Sequence, residues 1–154
     1  MYVTEILERC AVLAERSAAL YRQLAERFAD DCERRELCHA LALVEETHAK
    51  VLREELASFQ EREEAGDFLP EFGQRIAQIE DQLAKLAQRV TAAQSPDEAI
   101  DSLLALQQTT LEELYDDLVV QGDPAFRIFV ERLEAAFANS PKRATLRPRR
   151  QSQT

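Results

Sequence analysis

Residues 1–65 contain neither glycine nor proline; the first of each are Gly66 and Pro70. A stretch this long without the two strongest helix breakers favours long, uninterrupted helices. The apolar residues bear this out. Ile6, Cys10, Leu13, Ala14, Ser17, Leu20, Tyr21, Leu24 and Phe28 recur every three or four positions, which is one face of a helix. The spacing predicts a first helix from about Val3 to Ala29. Asp30 and Asp31 mark the break, and either can cap the next helix. That second helix is predicted from about Cys32 to Glu63, with a stripe of Leu37, Cys38, Leu41, Glu45, His48, Leu52 and Leu56. Ala65-Gly66-Asp67 and Pro70 end it.

Residues 71–93 are again helical in pattern (Ile76, Ile79, Leu83, Leu86, Val90), in a shorter and more polar segment. Ser95-Pro96-Asp97-Glu98 combines a cap, a proline at the first helical position and acids in the first turn, so another helix starts there and runs to about Val120. Gly122-Asp123-Pro124 turns the chain into a last helix ending near Ala138. The expected fold is all-α, in one helical domain over residues 1–140. Residues 141–154 form a basic tail predicted to be disordered. It carries Lys142, Arg143, Arg147, Arg149 and Arg150 and no acid.

A formal charge of −10 argues against general binding of nucleic acid by the body of the protein. Cys10, Cys32 and Cys38 are odd in number and lack a framework spacing, which suits reduced thiols. The first residues, MYVTEILERC, do not resemble a signal peptide, and no run is apolar enough to span a bilayer. The expectation is a cytoplasmic protein without a membrane partner.

The chain also echoes itself. Leu20-Tyr21-x-x-Leu24 matches Leu114-Tyr115-x-x-Leu118, and each is followed by an acidic turn and a new helix. Two helical hairpins joined by a long connection make a four-helix bundle with one crossover. The segment from Leu13 to Leu52, with its first-helix Tyr21 and its Leu41-Ala42-x-x-Glu45-x-x-His48-Ala49 motif, resembles the first hairpin of the rubrerythrin and ferritin-like superfamily. The resemblance extends more weakly to residues 97–140. It implies a ferritin-like four-helix bundle with an extra helix in the crossover between core helices 2 and 3. In that superfamily each hairpin supplies a Glu from its first helix and a Glu-x-x-His from its second, and together they hold two iron or manganese ions. The chemistry is peroxide reduction or iron oxidation.

Glu45 and His48 match this motif position by position and are the candidate metal ligands. Residues three apart share a helix face, and a carboxylate with a neutral imidazole suits iron or manganese. The other ligand positions depart from the pattern. Seven residues before Tyr21 stands Ala14; Glu15 lies about 100° around the helix, on a more polar face. Seven before Tyr115 stands Gln108, an uncharged amide. The last helix has Phe137 and Ser140 where Glu and His are expected, and only Glu131-x-x-Glu134 as a nearby acidic pair. Two readings are open. In the first, the chain lacks a complete di-iron site, holds no cofactor, and is a structural or partner-binding module, with Glu45 and His48 as a buried polar pair. In the second, it is a metal-dependent redox or iron-handling protein in which Glu45 and His48 carry one ion or, with Glu15 swung inward, contribute to a site shared across a homodimer. Cys10 and Cys38 read as small apolar core residues, with a Cys–His metal site as the alternative. Tyr21 and Tyr115 read as core-edge residues, Cys32 as incidental, and His39 as exposed.

Overall fold

A computed structural model describes residues 1–91 and 95–106, together with Leu114, Glu131, Arg132 and Ala135. Among the described residues four helices are delimited, in order: α1 (Val3–Arg27), α2 (Cys32–Glu61), α3 (Phe72–Thr91) and α4 (Pro96–Leu106). Among the described residues the only β pairing is an isolated antiparallel bridge between Tyr2 and Phe68. The fold is all-α. The predicted last helix and the basic tail lie, apart from Glu131, Arg132 and Ala135, outside the described residues. So does the predicted third core helix beyond Leu106, except for Leu114, which is helical and fully buried.

The first two helices end two residues earlier than their patterns suggest. At the end of α1 the Phe28 amide donates to the carbonyls of Leu24 and Ala25, and the Asp31 amide donates to the Phe28 carbonyl at 2.9 Å. Phe28 is buried, so the chain tightens around it and the helix stops at Arg27. Asp31 is the cap of α2: its Oδ1 accepts from the Arg34 amide at 3.2 Å. At the far end, Arg62 closes α2 and Glu63 takes a left-handed φ of 54°.

α1 is the central element, packing against α2, α3 and α4. Its predicted stripe is buried throughout. A second set, Val3, Leu7, Ala11, Ala18 and Ala25, is buried as well. The small side chains in that set let neighbouring helices approach closely. What stays exposed on α1 is a charged strip that includes Glu5, Glu8, Glu15, Arg22 and Glu26. α2 runs antiparallel to α1. Two ion pairs fix the register, Arg22 Nη2 to Glu46 Oε1 at 2.5 Å and Arg53 Nε to Glu15 Oε1 at 2.6 Å.

α3 runs alongside α1 in the same direction. The contacts progress from Leu69 N donating to Met1 O at 2.8 Å, through an Arg9–Glu80 ion pair, to Arg27 Nη1 donating to the Val90 carbonyl at 2.6 Å. Phe72, Ile76, Ile79, Leu83, Leu86 and Val90 supply its buried face. Each such side chain withdrawn from water contributes on the order of 1.5–3 kcal/mol. α4 begins beside the first turn of α2, where Arg34 Nε meets Asp97 Oδ1 at 3.2 Å. It packs on α3 and α1, burying Ala99, Ile100, Leu103 and Leu104.

The linker between α2 and α3 closes on the start of α1. The amides of Val3 and Thr4, which have no intrahelical acceptor, donate to the carbonyls of Asp67 and Ala65, both at 3.1 Å. The Tyr2 amide donates to Glu5 Oε2 at 2.8 Å. Gly66 makes this approach possible. Its φ is +75°, and a Cβ there would stand 2.6 Å from Cβ of Val3. No described helix is long and apolar enough to cross a membrane.

Candidate functional site

The stripe of α2 carries Glu45 and His48 into the interior, where they are 2% and 8% exposed. Oε2 of Glu45 lies 3.6 Å from Nδ1 of His48. That distance is an electrostatic contact rather than a good hydrogen bond. Nε2, on the other side of the imidazole, is closed off from solvent. Tyr21 of α1 is wholly buried nearby. Burial, then the negative charge of Glu45, then Cys38 push its phenol well above the ordinary tyrosine pKa. The phenol is therefore held as a neutral O–H beside the carboxylate. Tyr21, Glu45 and His48 thus form one polar island in an apolar hairpin. Ser17 is the other buried polar side chain among the described residues.

The arrangement separates the two neighbours Ala14 and Glu15. Ala14 faces the interior at 3% exposure. Glu15 faces outward and makes a two-pronged contact with Arg53, Nε to Oε1 at 2.6 Å and Nη2 to Oε2 at 3.0 Å. The hydrogen bond from Arg53 holds the Glu15 carboxyl below the usual range. In the single chain Glu15 thus faces outward, its carboxylate engaged at the surface, where guanidinium geometry matches it twice. Glu131 is exposed too. Gln108, Tyr115, Glu134, Phe137 and Ser140 lie outside the described residues.

The cysteines divide as their pattern suggests. Cys10 and Cys38 are buried and Cys32 is exposed. Burial pushes the Cys10 thiol up to about 12 and the Cys38 thiol up to about 11, so both stay protonated at neutral pH. A protonated, shielded thiol is a poor nucleophile. Cys10 senses Glu80 of α3 and Cys38 senses Asp97 of α4. His39 is exposed, as expected.

Among the described residues no three His, Cys, Asp or Glu side chains converge in a way that could hold a metal ion. One carboxylate and one imidazole do not fit a pair of divalent cations, whose charge needs several anionic ligands. The residues that sequence reasoning overlooked are Arg53 and Arg22, which tie down the acids at the rim of the island. Their signal was a basic residue at matching height on the facing helix, and it becomes readable only once the hairpin register is known. No family model, curated protein or solved structure matches this chain.

Proposed function

We propose that the chain is a rubrerythrin-like, ferritin-like protein without a complete di-iron centre, acting as a non-catalytic structural or partner-binding module. The observation that carries this reading is the pairing of Ala14 inside with Glu15 outside, opposite a helix that still buries Glu45 and His48. The motif is kept on one wall, and the carboxylate that would complete that half is replaced by a methyl group. The course of the chain supports the bundle. α3 carries it the length of α1, so that α4 starts at the end where α2 starts, beside Arg34. This course is the one expected of a bundle with one long crossover.

A second reading is favoured by the closeness of Glu45 and His48. The pair takes a single iron or manganese ion, in a site completed by another subunit of a homodimer. Elemental analysis of the full chain, purified under reducing conditions, separates the two. The module reading expects metal far below one ion per chain, unchanged by Glu45→Ala with His48→Ala. Stoichiometric iron or manganese that disappears in the double variant overturns it.

A further inference from the structure

At the end of the molecule where α1 begins and α2 ends, two aromatic rings face water. Tyr2 is 47% and Phe68 57% exposed, and their rings meet edge to face with centroids 5.2 Å apart. The surrounding chain is acidic. Residues 61–71 carry Glu61, Glu63, Glu64, Asp67 and Glu71 against one base, Arg62, which already contacts Glu64 at 3.4 Å. The Met1 ammonium is directed at the Leu69 carbonyl. Three other phenyl rings among the described residues lie under arginine: Phe28 under Arg34, Phe59 under Arg62 and Phe72 under Arg75, at 5.7, 4.8 and 5.4 Å from the centroids. Two exposed rings inside an acidic rim make a surface for a segment rich in arginine and free of acid.

We propose that this aromatic, acidic face is the docking site of the chain's own basic tail, residues 141–154, with its arginines stacked on Tyr2 and Phe68. Three observations select this occupant. The tail has five basic residues and no acid, whereas the face has the opposite charge. Arginine is the cation this molecule already stacks on phenyl rings. The chain is also within reach. Arg132 is anchored to Glu54 of α2 at 3.2 Å, and Glu54 stands two turns, about 10 Å, from the end of α2. Ala135 is helical, and residues 136–140 beyond it can span up to roughly 18 Å before the tail begins. Docking shields the exposed aromatic pair and offsets part of the surplus acid. This inference is independent of the reading of the metal position.

The sequence has no tryptophan, so Phe68→Trp gives the full chain a single indole reporter at the face. Acrylamide quenching is measured in this variant and in one that adds Arg147→Ser, Arg149→Ser and Arg150→Ser. At about 0.05 M salt the intact tail should lower the quenching constant about two-fold relative to the neutralised tail. At about 1 M salt, where the screening length falls to about 3 Å, the two should converge. The shielding should not change over a hundred-fold dilution, roughly spanning the range in which chains would separate. Equal quenching constants at low salt overturn the proposal. Shielding that disappears on dilution assigns the face to a neighbouring copy and overturns it as well. Tyr2→Trp repeats the measurement from the other ring and decides the matter if Phe68→Trp disturbs the fold.

Discussion

α2 and α3 both lean on α1 through a single buried stripe, yet the stripes differ in kind. That of α3 is apolar from Phe72 to Val90. That of α2 is interrupted by Glu45 and His48 in its middle, next to Tyr21. A stripe like that of α3 is enough to seat a helix on α1. The polar island of α2 is therefore not what holds the hairpin together, since buried pairs are commonly no better than apolar residues of the same volume.

Five variants break or sharpen this contrast, with the largest expected effect first and the smallest last. Ile76→Ala opens a cavity in the apolar stripe and should cost about 4 kcal/mol in denaturant unfolding; a cost below about 1 kcal/mol would show that α3 is loosely seated. On α2, His48→Leu leaves the Glu45 carboxylate without the imidazole and should cost about 3 kcal/mol. Glu45→Leu combined with His48→Leu should recover most of that loss, ending within about 1 kcal/mol of the parent. A double variant as unstable as the single one would mean that the island is structural after all. Gly66→Ala tests the linker that joins the two helices. It forces a side chain into a left-handed conformation and against Val3, for a loss of about 2 kcal/mol read as a lowered Tm.

The smallest effect is that of Glu15→Gln, about 0.5 kcal/mol, because the Arg53 pair is solvent-exposed and screened. Its pH dependence has a definite sign. The folded-state pKa of Glu15 is lowered from 4.5 by Arg53. The pair therefore contributes above about pH 4.5, and its contribution fades as pH falls through the lower, folded value. Thermal melts of parent and variant should differ at neutral pH and coincide in strong acid.

The amino-acid pattern made the hairpin legible and left its surroundings dark. Period-3.6 spacing exposes one face of α1, and every residue assigned to that face is buried. The second buried face, with Leu7, Ala11 and Ala18, was not legible, because alanines and a lone leucine among charges look like solvent-facing filler until α3 and α4 are in place. The choice between Asp30 and Asp31 as cap was open for a similar reason, since both side chains have the same chemistry and only backbone direction selects Asp31. At the polar island, Glu45 and His48 were readable from their place on the stripe. The outward turn of Glu15 depends on a helix rotation of a few tens of degrees, which the position of Arg53 on the other helix decides.

The closure of the linker on α1 also orders events in time. Its opening turn takes its hydrogen-bond acceptors from Ala65 and Asp67, so it can set only after the second helix has been made and folded back. During synthesis the beginning of α1 waits, frayed, for a stretch some sixty residues downstream.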